Sequence, residues 1–140
     1  MKELLILLRS LQLYAHSCHH LAARVVFTQD HEMLADIYNG AESDYDSVAE
    51  RIVGTMGEEQ LPSLGEQMKA VFAKVNTLPL VGVKENSIMF ETILQLEKEI
   101  CACVASTVAS GVSEGTKQLI GDICNRLEVE QYKISRRLKK

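Results

Sequence analysis

Apolar residues recur at spacings of three, four and seven over most of the chain, the period of a helix with one buried face. Leu4, Leu8, Leu11, Cys18, Ala22 and Val25 predict a first helix over about Lys2 to Val26. Met33, Ile37, Ala41, Val48 and Ile52 predict a second over about Asp30 to Met56, with Thr28 or Asp30 to cap it and Gly54 and Gly57 at its fraying end. Pro62 and the stretch Ser63-Leu64-Gly65-Glu66 open a short segment with a capping box, in which serine and glutamate satisfy each other's free backbone N–H groups. It ends near Lys74, and a loop with Pro79 and Gly82 follows. Ile93, Leu96, Ile100, Cys103 and Val104 mark a third long helix over about Asn86 to Ser110, stopped by Gly111. Ser113 and Glu114 start the fourth, which runs to about Leu138 with Leu119, Ile123, Leu127 and Ile134 on one face. Met33, Met56, Met68 and Met89 read as core filler.

Two long helices, a crossover with a short helix and two more long helices make an all-α chain. Short links within each pair make the helices antiparallel neighbours, and the long connection lets the pairs dock as a ferritin-like four-helix bundle with one crossover. With 140 residues, 46% apolar and 24% charged, the chain fits one globular domain over residues 1–140. Two prolines and eight glycines are too few for an all-β sandwich. A net charge of −4 excludes a protein built mainly for bulk electrostatic binding of nucleic acid. No apolar run approaches the ~18 residues of a membrane span. The run Leu4 to Leu8 is too short for a signal peptide, which points to an unprocessed cytoplasmic chain. The four cysteines, Cys18, Cys101, Cys103 and Cys124, form no Cys-x-x-Cys pair, and Cys101 and Cys103 lie about 200° apart around a helix. They read as free thiols of a reducing compartment, with a redox role for Cys101 and Cys103 as the alternative.

All four histidines, His16, His19, His20 and His31, fall in the first 31 positions. A short turn centred near Val25 sets His19 beside His31 and His16 beside Leu34 and Ala35. Farther along the second helix, Glu42, Asp46 and Glu50 lie about 20°, 60° and 100° from His31. Imidazole with carboxylate is a ligand set for Fe²⁺, Mn²⁺ or Zn²⁺. His31 and Asp46 are nevertheless about 22 Å apart at the helical rise, so one chain cannot bring them to one ion. Two copies whose second helices cross antiparallel near Gly40 and Ala41 would, giving two equal sites per dimer. A ferritin site inside one bundle needs Glu-x-x-His on two helices. The lack of histidine after residue 31 rules that out.

The set His19, His31-Glu32-Met33-Leu34 and Asp46-Ser47-Val48-Ala49-Glu50-Arg51 resembles the metal-site pattern of the Dps family, the DNA-protection mini-ferritins. Glu114-Gly115-Thr116, opening the last helix, is also similar. The resemblance implies a hollow dodecamer that binds Fe²⁺ at dimer interfaces, oxidises it with hydrogen peroxide or dioxygen and stores ferric mineral inside. His19 and His31 would come from one subunit, and Asp46 and Glu50 from its partner. The family carboxylate four residues after the second histidine is Ala35 here, and the adjacent Asp36 points about 100° away. His16 is expected to compensate. His20 stands where the family commonly has tryptophan and reads as a packing residue, as do Tyr38 and Tyr45. Asp30 reads as a helix cap, and Arg51 as the partner of a nearby carboxylate.

Glu114 and Asp122 are where the resemblance implies an acidic channel, although a helix N-terminus favours carboxylates by its dipole alone. The C-terminal Lys133, Arg136, Arg137, Lys139 and Lys140 form the one basic cluster. Without a lysine-rich N-terminal extension, DNA binding is expected to be weak or absent. The rival reading is a non-catalytic helical oligomer with structural Zn²⁺ or Mn²⁺ at the same dimer face.

Overall fold

The computed structural model describes residues 1–23, 26–79 and 85–139, and no strand occurs among them. The helices are α1 (Lys2–Leu21), α2 (Phe27–Met56), α3 (Leu64–Val75), α4 (Asn86–Ala109) and α5 (Glu114–Leu138), with a 3-10 turn at Glu58–Gln60. The chain is therefore all-α, as the apolar period requires. α1 packs on α2, α3 and α4; α4 packs on α5; and α5 returns to α2. Contact with three helices explains why α1 buries Leu5 and Leu7 beside the predicted Leu4, Leu8 and Leu11.

Element ends follow local chemistry where the caps are local. The capping box at Ser63 and Glu66 is formed, Ser113 accepts from the Thr116 N–H, and Gly111 leaves α4 at φ +89°, a conformation costly for other residues. The first hairpin differs from expectation. α1 stops at Leu21 and α2 starts at Phe27, with no side-chain cap on α2. The expected turn centre Val25 and the loop residue Gly82 lie outside the described residues. Met89 is buried, but Met56 and Met68 are exposed, because Met56 ends its helix and Met68 lies on the outer face of α3. There Leu64, Met68 and Phe72 form an exposed apolar stripe at i, i+4 and i+8.

Asp30 is no cap. Its carboxylate is turned inward and buried, and it accepts from Arg137 Nε (2.7 Å) and Nη2 (2.8 Å) and from Asn86 Nδ2 (2.7 Å). Asn86 Nδ2 also donates to the Ala23 carbonyl at 3.0 Å. One carboxylate thus joins the start of α2, the end of α1, the start of α4 and the last turn of α5. Arg137 belongs to this clamp rather than to a free basic tail.

A second charged group lies deeper. Arg126 on α5 donates from Nε to Asp44 at 2.9 Å and pairs with Glu130. Glycine at 40 leaves room for Arg126, since a Cβ there would meet its Nη1 at 2.5 Å and push the guanidinium aside. Glu97 is fully buried beside Glu130. Its own burial, and next the Glu130 charge, push its carboxyl up to about 9. Both Glu97 oxygens and Glu130 Oε2 are without partners if both groups are ionised. A proton on Glu97 lets it donate to Glu130 and resolves the conflict.

Two outcomes follow from these buried groups. Asp30→Ala, which strips Arg137 and Asn86 of their shared acceptor, should cost about 3 kcal/mol of stability in urea denaturation. The Glu97 carboxyl titrates higher folded (about 9) than at its ordinary 4.5. The folded state therefore holds an extra proton between those values. The contribution to stability is full below the ordinary value and is lost as pH rises through the folded one. Glu97→Gln should gain stability over the parent on going from pH 5.5 to pH 8.5; an unchanged difference at the two pH values refutes the shared proton.

Candidate metal centre

The end of α1 and the start of α2 lie antiparallel, so the last turn of one faces the first turns of the other. His19 Nδ1 lies 2.8 Å from the His31 carbonyl oxygen, and His31 Nδ1 lies 2.9 Å from that of His19. A carbonyl oxygen only accepts, so each Nδ1 carries the proton and each neutral ring keeps its lone pair on Nε2. The rings stack at 3.6 Å between centroids and 22° between planes. Two parallel rings, each fixed by a backbone acceptor, are oriented as metal-ligating histidines usually are.

The other histidines stand around this pair. His16 stacks on Tyr38 at 4.2 Å and lies 6.4 Å from the His19 ring. It therefore sits about one helical turn beyond the expected neighbours Leu34 and Ala35, because helical side chains lean towards their own N-terminus. His20 is exposed with its ring 4.7 Å from His16, and Phe27 lies 5.0 Å from His31. Tyr45 packs within the chain, under the Arg9 guanidinium at 3.6 Å and bonded to Gln67.

Asp46 and Glu50 are exposed on the same continuous helix as His31. Fifteen residues of unbroken helix hold His31 and Asp46 about 22 Å apart. Accordingly, among the described residues no three histidine, cysteine, aspartate or glutamate side chains of one chain gather around a metal position. Glu50 lines an open groove of about 420 Å³ with Ser47, Arg51 and Leu119. Arg51 has no ion pair among the described residues; its Nη1 lies against the backbone of Gly115. Ala35 offers no ligand, and Asp36 does not replace it: Asp36 lines a groove between α2 and α5 with Glu32, Glu130 and Lys133.

The small residues Gly40 and Ala41 serve the chain's own interior. Gly40 admits Arg126, and Ala41 is fully buried. The exposed face of α2 at that level carries Asn39 and Glu42, and these would meet a second copy. Glu114 is exposed and paired with Lys117 at 2.6 Å; Asp122 is exposed. Neither is drawn into the histidine pair.

Sequence spacing pointed to His19 and His31 but not to what orients them. The two carbonyl acceptors carry no residue-type signal. Asn86 and Arg137, which hold the hairpin through Asp30 and Ala23, are more than 50 positions away in sequence. No protein-family model matches the chain, and neither does the sequence of any curated protein.

The reciprocal geometry has a direct spectroscopic consequence. Long-range ¹H–¹⁵N correlation of the metal-free protein at pH 8 should show His19 and His31 as the tautomer protonated at Nδ1. Protonation at Nε2 in both rings would remove the paired donors.

Proposed function

We propose that this chain is a Dps-type protein: a ferritin-like four-helix bundle with one long crossover that oxidises Fe²⁺ at sites shared by two subunits and stores the ferric product inside a hollow oligomer, a dodecamer by its resemblance. The observation that carries this reading is the His19–His31 pair, two stacked rings each held through Nδ1 by the other residue's carbonyl, which leaves Nε2 of each as the ligating nitrogen. The ring of helix contacts α1–α2–α5–α4 supports the bundle, and the exposed stripe Leu64, Met68 and Phe72 offers apolar surface for subunit contact.

In this reading Fe²⁺ is the substrate. His19 and His31 supply nitrogen from one subunit, while Asp46 and Glu50 supply oxygen from its partner. The carboxylates offset the charge of the ion, and the fixed tautomers spare the imidazoles any reorientation. Hydrogen peroxide or dioxygen accepts the electrons, limiting oxidative damage in the cytoplasm. His16, on its Tyr38 platform one turn beyond Ala35 and 6.4 Å from the His19 ring, serves as the added ligand in place of the carboxylate missing at Ala35. Imidazole must be neutral to ligate, so activity falls in acid. Glu114 and Asp122 form an acidic entry for cations in the assembled shell. DNA binding is weak or absent, since Arg137 is engaged by Asp30. Ala35 favours a second reading, a non-catalytic oligomer holding structural Zn²⁺ or Mn²⁺ at the same face.

Mixing variants tests the shared site. His19→Ala/His31→Ala chains and Asp46→Ala/Glu50→Ala chains should each fail to oxidise Fe²⁺ in stopped flow. Refolded together, they should recover about a quarter of parental activity, because half the dimers are mixed and each of these holds one intact site. No recovery removes the shared site. A parental protein that binds metal but oxidises Fe²⁺ no faster than buffer selects the second reading.

A further inference from the structure

Cys101 and Cys103 lie close in sequence but on different sides of α4, and the side that carries Cys101 faces α5, the helix of Cys124. α4 and α5 are antiparallel neighbours joined by the turn at Gly111. Folding back at Gly111 brings Cys101 on α4 to nearly the level of Cys124 on α5, where each thiol acts on the other. Gln131, seven residues after Cys124 and so on the same face of α5, donates a hydrogen bond from Nε2 to Cys101 Sγ at 3.6 Å. Both thiols are half-buried at the edge of the core. Cys103 is buried on another side of α4, where it lines a groove with Glu3, Ile6 and Lys74.

We propose that Cys101 and Cys124 form a peroxide-reactive dithiol that closes to a disulfide between α4 and α5. Cys101 is the attacking sulfur, since it receives a hydrogen bond from Gln131 N–H, and such a donor stabilises a thiolate. Cys124 keeps its proton, its thiol pushed up to about 12 chiefly by burial.

In the first step Cys101 sulfur attacks one oxygen of hydrogen peroxide. The S–O bond forms, the O–O bond breaks, and the second oxygen leaves as water with the thiol proton. Cys101 is then a sulfenic acid. In the second step Cys124 sulfur attacks Cys101 sulfur; the S–S bond forms, the S–O bond breaks, and hydroxide leaves with the Cys124 proton as water. Two thiols and one peroxide give one disulfide and two waters, the two electrons coming from sulfur.

The test uses the reduced full-length chain with a chelator, so that no iron consumes the peroxide. After hydrogen peroxide treatment and alkylation by N-ethylmaleimide, two of the four cysteines should escape alkylation. Trypsin should release peptide 99–117 linked to peptide 118–126, with fragmentation placing the link on Cys101 rather than Cys103. Cys124→Ser should stop at the sulfenic acid, trapped by dimedone at Cys101. Cys101→Ser should lose thiols at least about tenfold more slowly. A link between Cys101 and Cys103, four thiols that remain alkylatable, or no dimedone adduct at Cys101 in Cys124→Ser would each overturn the proposal.

Discussion

The buried carboxylate of Asp30 draws four chain segments to one point, accepting from Arg137 and Asn86 while Asn86 also holds the Ala23 carbonyl. A charge taken out of water in this way is stable only if its partners stay in place. The end of α1, the start of α2, the start of α4 and the last turn of α5 therefore have little freedom relative to one another. His31 is the next residue after Asp30, and His19 lies four residues before Ala23. The histidine pair inherits its register from this clamp, and each ring is then locked by the other residue's carbonyl. The chain spends its one deeply buried aspartate on orienting a hairpin rather than on capping a helix.

In the proposed reading the histidine pair is half of a coordination set. Two fixed imidazoles present nitrogen, yet α2 is a single unbroken helix, and its rise keeps Asp46 and Glu50 beyond reach within the chain. The carboxylates are exposed, as ligands awaiting a second subunit would be. The arrangement suits the proposed shared site because the incompleteness lies in chain geometry rather than in missing chemistry. Ala35 is the exception, and the His16 proposed to replace it is stacked on Tyr38, one turn farther along α2.

The interior carries more charge than a core of this size needs for packing. Asp44, Arg126, Glu130 and Glu97 join α2, α5 and α4 by pairing and by a shared proton. Glu97 is the group most sensitive to its setting: without a proton it is a buried charge facing another of the same sign. On the same pair of helices, Cys101 and Cys124 are half-buried free thiols, which the proposal above makes sensitive to oxidant. The α4–α5 contact is thus held partly by groups whose bonding changes with proton or oxidant, unlike the aliphatic contacts of α1.

Much of this was legible in the chain itself. Apolar period, the Ser63–Glu66 box, Ser113 and Gly111 determined the helices and most of their ends, because helices and caps are made by residues within a few positions of each other. The closeness of His19 and His31 was legible too, since a short antiparallel turn leaves little choice of register. Tertiary structure alone decided the rest. Asp30 became a clamp because Arg137 arrives from 107 positions away, and Gly40 turned out to serve Arg126 from 86 positions away. Cys101 found Cys124 on a neighbouring helix. Such partners are chosen by how helices pack, and a period along one helix says which face is buried but not which side chain of another helix it will meet.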